Sequence, residues 1–272
     1  MYFYVRKVAI VMKKMTKIAA LLLALATLAF CFAGCGQKPV DTEKTYKICS
    51  DNAFAPFEYW DKEANDGKGA YVGIDMDLLA AIAEDQGFKY TIDNIGFDAA
   101  CGNVQSGQAD AMIAGMTIND DRKEVYDFSD PYFNDGQIMC TSKDSGIDSL
   151  DDLNGKVIAA KTGTMGAKYA ESVKDQYGFT IQYYEDSPTM YQTVINNKTV
   201  CFEDRSVAGE AIKSGVELVT VGETLNPSPY GFAVKKGKYP ELIEMFNTGL
   251  KNIKANGKYE EILAKYGITA NE

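Results

Sequence analysis

The chain has 272 residues, with 28 Lys and Arg against 38 Asp and Glu, no His, six Cys, one Trp and 46% apolar residues. That balance belongs to a globular protein and excludes both a disordered chain and a multi-span membrane protein. Without any imidazole, a Ser-His-Asp hydrolase and a His-ligated zinc site are excluded as well.

Charge is unevenly spread. Arg6, Lys7, Lys13, Lys14 and Lys17 are the only charged side chains before Lys38, so residues 35–272 carry 23 basic against 38 acidic groups, a net −15. Such a surface argues against nucleic acid or anionic lipid as a broad partner. The basic start leads into IAALLLALATLAFCFA (18–33), 16 residues long. A positive n-region, an apolar h-region and small residues make a secretory signal. The rival reading, a spanning anchor, needs about 20 apolar residues, and Gly34-Cys35-Gly36 interrupts this one. Phe32-Ala33-Gly34-Cys35 resembles a bacterial lipobox, whose cysteine is diacylated and becomes the new N-terminus. Each buried methylene of such a chain contributes ~0.8 kcal/mol of tethering. The expectation is a signal over 1–34, a lipidated Cys35 with a polar tether to residue 45, and export to the outer face of the cell membrane. Met12 and Met15 are alternative starts to Met1, because MKKMTKIAALLL is already a complete signal onset. Cys31 leaves with the signal. Cys49, Cys101, Cys140 and Cys201 lie singly in apolar strings without CxxC spacing, which reads as small buried hydrophobes rather than metal or redox groups.

From residue 46 onward, β-rich runs alternate with helical ones, the signature of an α/β protein. In chain order the pattern predicts strand 46–50, helix 75–86, strands 88–93, 110–115 and 156–161, helix 166–176, strand 179–184, helix 188–197, strands 200–203 and 216–221, and helices 240–255 and 258–265. Met76, Leu79, Ile82 and Ala83 share one face of the first helix, with Glu84 and Asp85 toward water. An internal echo organises the whole. AIAEDQGFKYTID (81–93) and AESVKDQYGFTIQ (170–182) both read helix, glycine, Phe-led strand, and each is followed by a second helix and strand at 104–115 and 194–205. Two lobes of like topology follow. The C-terminal helices need an apolar face and the first lobe is short of helices, so the chain crosses near 134–141 and returns near 227–234. Lobe 1 is then 46–134 plus 232–272 and lobe 2 is 135–231, with a two-crossing hinge and a ligand cleft between them.

Four phrases in order and spacing carry a family resemblance: APFEYWD (55–61), GIDMDLLAAIAEDQG (73–87), AGMTINDDRKEVYDFSDPYF (114–133) and GKVIAAKTGT (155–164). Together they resemble the bacterial extracellular solute-binding proteins of family 3, which feed polar amino acids to ABC importers, and the likeness runs from about residue 46 to 267. The resemblance implies a two-lobed periplasmic-binding-protein-like fold of type II, ABC permease subunits as partners, a monomer, no cofactor or metal, and no chemistry on the ligand.

A free amino acid is a zwitterion, so a cleft that closes on it must meet both charges. Arg122 suits the α-carboxylate through its planar fork, the alternative being a surface pair with Asp120 or Glu124. Thr117 resembles the family position that adds donors, with the Gly115 carbonyl toward the ammonium. KTGTMGAKY (161–169) reads strand, turn, helix, so N–H groups at Thr164 and Met165 can hold the same carboxylate; the GxxxxGK[ST] phosphate loop is absent. Asp204 matches the family carboxylate for the ammonium, against a role as helix N-cap for 205–213. Phe54 and Phe97 match positions that sandwich the ligand, whereas Phe57, Tyr59 and Trp60 are walls or core. Asp51 and Lys161 stand where family members place side-chain contacts, and this opposite-sign pair suits a carboxamide, so glutamine is the first choice. A cationic ligand could use Asp51, Glu58 or Glu203 but would meet Lys161. The sequence departs from glutamine binders at Glu203, Met165 and Thr199, the last a structural change. Two other classes stay open: a cyclic-acid dehydratase-like enzyme on this scaffold, using Asp51, Glu58, Glu203 or Lys161, and an amino-acid sensor or adhesin, against which no output domain is legible in residues 46–272.

Overall fold

The computed structural model describes residues 44–269. The signal, Cys31, the alternative starts and the lipobox with Cys35 lie outside the described residues. Among the described residues no helix is long and apolar enough to cross a membrane.

The chain opens with β1 (Thr45–Ser50), the short β2 (Ala53–Phe54), β3 (Glu58–Asp61) and β4 (Ala70–Val72), then α1 (Ile74–Gln86). Next come β5 (Lys89–Asn94), α2 (Phe97–Ser106), β6 (Ala111–Met112), a single helical turn at Asp120–Lys123, and β7 (Tyr126–Phe128). A second series follows: β8 (Phe133–Ser142), β9 (Val157–Lys161), α3 (Met165–Tyr177), β10 (Thr180–Tyr184), α4 (Ser187–Asn197), β11 (Val200–Asp204), α5 (Arg205–Lys213) and β12 (Leu218–Tyr230). β13 (Ala233–Lys235), α6 (Pro240–Ala255) and α7 (Lys258–Lys265) close the described chain.

These strands build two five-stranded sheets, ordered β5-β1-β6-β13-β7 and β10-β9-β11-β8-β12, and a small sheet β2-β3-β4. In the first, β1 runs parallel to β5 and β6 while β13 is antiparallel to β6 and β7. In the second, β9, β10 and β11 are parallel and β8 lies antiparallel between β11 and β12. The chain therefore leaves the first sheet before β8 and rejoins it after β12. Tyr230 pairs with Phe133 and Pro229 with Asn134, so the two crossings run side by side.

The echo read from the sequence has a structural cause. Gly87 and Gly178 adopt φ of 71° and 70° after α1 and α3, the left-handed cap that glycine adopts without a Cβ penalty. Phe88 and Phe179 follow and are both buried, so each cap feeds an apolar anchor into its own core. The C-terminal helices pack against the first sheet's helix: Leu242, Phe246, Leu250 and Ile253 of α6 join Leu78, Leu79 and Ile82 of α1 in one core cluster. Close approach needs Gly249, where a Cβ would lie 2.8 Å from Ile82 Cγ2. Each fully buried leucine there contributes ~1.5–3 kcal/mol relative to exposure. Helices also cover the other face of this sheet and both faces of the second, around α2, around α4 with α5, and around α3.

The structure corrects several expectations. The strand expected over 110–115 is only Ala111–Met112, because Gly115 turns away with φ of 52°. The strand expected over 216–221 runs on to Tyr230 despite Pro227 and Pro229, with register shifts on either side of Leu225. The segment expected only as a crossing is β8, a ten-residue strand inside its sheet between β11 and β12. All four described cysteines are free thiols, with Cys140 opposite Cys201 in the sheet.

Candidate functional site

Residues at or just past strand ends converge from both sheets. Asp51 follows β1, Phe54 ends β2, Phe97 opens α2, and Gly115, Thr117 and Arg122 lie between β6 and β7. From the second sheet Lys161 ends β9, Thr164 and Met165 start α3, and Asp204 ends β11. All ten residues expected from the sequence line one cavity, together with Ala114, Gly166 and Glu203. Its volume is about 20 Å³, room for a single water. The carboxyl ends of strands are where open α/β sheets hold ligands.

Arg122 is aimed by its own turn, since the Asn119 side chain accepts the Arg122 N–H at 2.9 Å. Its Nη1 donates to the Thr117 carbonyl at 2.9 Å and its Nη2 to the Gly163 carbonyl at 3.0 Å, the second bond reaching the other sheet's loop. The guanidinium lies 5.2 Å from the centre of the Phe97 ring. A surface pair with Asp120 does not form, because Asp120 pairs with Lys123. Burial lowers the Arg122 pKa, opposed by Cys101 and Asp204, and a guanidinium so far above neutrality stays charged. Thr117 is buried and bridges to Tyr230.

Asp204 occupies the N-cap position of α5, but its side chain makes no capping bond. It accepts instead from Gln137 Nε2 at 2.9 Å and from the Tyr230 hydroxyl. Burial raises its pKa against the lowering pull of Tyr230, Gln137 and Arg122. Lys161, 2% exposed, forms an ion pair with Asp51, 1% exposed, and its Nζ lies 5.0 Å from the Phe54 ring centre. Burial pulls the Lys161 pKa down, yet Asp51, Glu203 and Glu58 outweigh it and leave it raised. Glu203 is held by Ser187 Oγ at 2.8 Å and the Tyr191 hydroxyl at 2.7 Å, so its bonds are made within its own lobe. Thr199 is structural, donating to the Val157 carbonyl at 2.7 Å.

The Thr164 hydroxyl accepts from Ala167 N–H at 3.2 Å and thereby caps α3, whose first N–H groups have no intrahelical acceptor. Met165 Sδ accepts from Asn119 Nδ2 at 3.1 Å across the cleft. Of the three aromatics left open, Phe57 is fully buried core against Phe133 and Tyr230. Trp60 is 54% exposed and lies over Gly69, and Tyr59 is half-buried. Neither Gln137 nor Tyr230 was expected. A glutamine inside the apolar run GQIMC (136–140) is the one local signal that could have marked the first.

Among larger cavities, the two of about 600 and 610 Å³ are less suited to a zwitterion. Glu210 is the single charged residue lining the first; the second has Asp135, Arg205, Glu210 and Lys213 at its wall, but Glu210 pairs with Lys213 and neither Arg205 nor Lys213 is buried. A half-buried guanidinium with a buried ammonium and buried carboxylates, drawn from two sheets around one small space, fits a small molecule bearing both charges.

Residues 46–269 match the model of the bacterial extracellular solute-binding proteins, family 3. The chain belongs to this family. It is similar to the ABC transporter glutamine-binding protein GlnH of Bacillus subtilis, 29% identical over 207 residues, 74% of this chain and 75% of that one. Substrate-binding domain 2 of Lactococcus lactis GlnP, solved in an open conformation, is 44% identical over 86% of this chain and 98% of that chain, with a TM-score of 0.55. An ancestral arginine-binding protein bound to arginine is 34% identical over 82% and 98%, with a TM-score of 0.74. The α/β fold, with its two lobes, is the family's own.

Proposed function

We propose that this protein is the extracellular substrate-binding component of an ABC importer, capturing a polar L-amino acid between its lobes and delivering it to the membrane permease, with glutamine the first choice. The observation that carries the reading is the set of opposite charges drawn from both sheets around one cavity, half-buried Arg122 and buried Asp51 from one, buried Lys161 and Asp204 from the other. Arg122 with the N–H groups of Thr164 and Met165 takes the α-carboxylate, and Asp204 with the Gly115 carbonyl takes the ammonium. Phe54 and Phe97 flank the aliphatic part. Asp51 and Lys161 exchange their mutual bond for a carboxamide, the acid accepting from its NH2 and the ammonium donating to its carbonyl. Lys161 opposes an arginine or lysine side chain at the same spot.

Sites for small molecules measure ~300–1,000 Å³, so entry requires lobes 46–134 plus 232–272 and 135–231 to swing apart about the paired crossings. A ligand favours closure only through contacts it makes with both lobes at once. The higher-identity GlnP domain, solved open, superposes less well than the arginine-bound ancestral protein, which supports such a swing. In this reading the signal 1–34 is removed, Cys35 carries lipid at the outer membrane face, and the chain works as a monomer.

A thermal-shift screen of residues 36–272, refolded to remove co-purified ligand, against the twenty amino acids tests this. A ligand at 100 times its Kd adds about 2.7 kcal/mol. Arg122→Ala and Asp204→Ala are each expected to weaken binding by ~3–5 kcal/mol, since each leaves a buried charge without its partner. No shift with any amino acid, or full affinity in both variants, overturns the reading.

A further inference from the structure

Glu58 and Asp75 are both fully buried beneath the site, Glu58 at the start of β3 and Asp75 in the first turn of α1. They touch one another, and Asp51, Lys161 and Tyr132 are the other ionisable groups facing them. Asp75 Oδ2 accepts twice, from Gly115 N–H at 2.8 Å and from the Tyr132 hydroxyl at 2.8 Å. Among the described residues no donor reaches Glu58 Oε1, Glu58 Oε2 or Asp75 Oδ1. Two ionised carboxylates can only accept, so in that state three buried oxygens would lack a partner and two like charges would adjoin.

We propose that Glu58 is a neutral carboxylic acid that donates its proton to ionised Asp75, and that this shared proton holds the Gly115 backbone at the floor of the ligand site. The proton belongs on Glu58, because Asp75 has two other donors and stands at a helix N-terminus, which favours a negative charge. A single O–H···O⁻ bond supplies Asp75 Oδ1 and leaves one net charge in the pair. Burial, then Asp75 and then Asp51 push the Glu58 carboxyl well above the ordinary carboxylate range, outweighing Lys161. Burial raises Asp75 to about 6, against the pull of Gly115, Tyr132 and Glu58.

Gly115 needs such an anchor. Its φ of 52° is left-handed, and a Cβ there would lie 2.5 Å from the Phe54 ring, so the backbone itself forms this part of the wall. Glu58 and Asp75 are thus positioning residues, acting on the ligand through Gly115. That last link rests on the amino-acid reading above, whereas the proton and the anchoring do not.

Two measurements on the full-length chain, neither needing a ligand, decide the matter. With glutamate carboxyl carbons labelled with 13C, one resonance is expected at the protonated position at neutral pH and is lost in Glu58→Gln. In glycine-labelled protein, the Gly115 amide is expected to exchange with solvent at the wild-type rate in Glu58→Gln, whose NH2 replaces the donor. In Glu58→Met it is expected to exchange about tenfold faster. All glutamates ionised at neutral pH, or Gly115 loosened equally in Gln and Met variants, overturns the proposal. Should the Met variant fail to fold, the carbon resonance and the Gln variant's exchange rate still decide it. A failed amino-acid screen leaves both readouts intact and counts against the functional reading alone.

Discussion

Asp204 is a buried carboxylate whose charged form is disfavoured by desolvation. Burial raises its pKa, and the Tyr230 and Gln137 donors with the Arg122 charge only partly restore the charged form. Asp135, 3.5 Å from the Tyr230 hydroxyl, is itself raised to about 6, by burial first and by Asp204 second. An ammonium against Asp204 favours its ionised form, so a bound amino acid lowers the pKa and expels a proton where Asp204 was protonated. Affinity is therefore expected to fall as pH drops through the raised pKa, with proton release on binding in that range. Calorimetry in buffers of different ionisation enthalpy measures that release, and its absence in wild type would overturn the role given to Asp204. At this scale the sequence was informative wherever a residue stands at the end of a strand, as with Lys161 and Asp204. It was silent on Gln137, which meets Asp204 only through the pairing of β8 with β11, and on Glu58 with Asp75, which meet only once β3 and α1 pack. Cross-strand register is a property of two segments, and no local pattern encodes it.

Helix α3 shows the same division among elements. Strand, turn and helix over 156–176 were legible because β-branched and apolar residues give way to a Gly-containing turn and then to helical spacing. What sets the helix N-terminus against the site is not in that pattern. A Cβ on Gly166 would lie 2.0 Å from the Phe202 carbonyl oxygen in β11, so the first turn of α3 is pressed onto its neighbouring strand. Gly166→Ala must push the two apart, which is expected to cost ~1–3 kcal/mol of stability, the scale of overpacking, and, on the proposed function, to weaken ligand binding by shifting the Thr164 and Met165 N–H groups. Urea unfolding and a ligand titration check both, and an alanine variant with unchanged midpoint and affinity would remove the close approach from the explanation. The long ribbon of β8 and β12 was the element least legible. β8 is buried on both faces and lacks strand alternation, while two prolines near the end of β12 read as a loop.

For the molecule as a whole, closure is a matter of which contacts span the two lobes. Lys168 with Asp121 spans them, but both are more than half exposed, and such pairs contribute little. Lys161 with Asp51 spans them almost fully buried, beside the Arg122 bond to Gly163. Removing one partner of a buried pair costs ~3–5 kcal/mol, because the other charge is left without compensation. Either lobe can avoid that cost simply by separating and letting water reach Asp51. Lys161→Met is therefore expected to widen the protein in small-angle scattering while leaving the unfolding of each lobe nearly unchanged. A guanidinium can refill the place that the ammonium vacates, with Asp51 as its partner and Glu203 close by. The variant should thus gain a thermal shift with arginine and close again when arginine is added, whereas glutamine, having lost its donor to the carbonyl, should bind more weakly. If the variant keeps glutamine affinity and ignores arginine, Lys161 does not face the ligand side chain, and selectivity must come from elsewhere in the cleft.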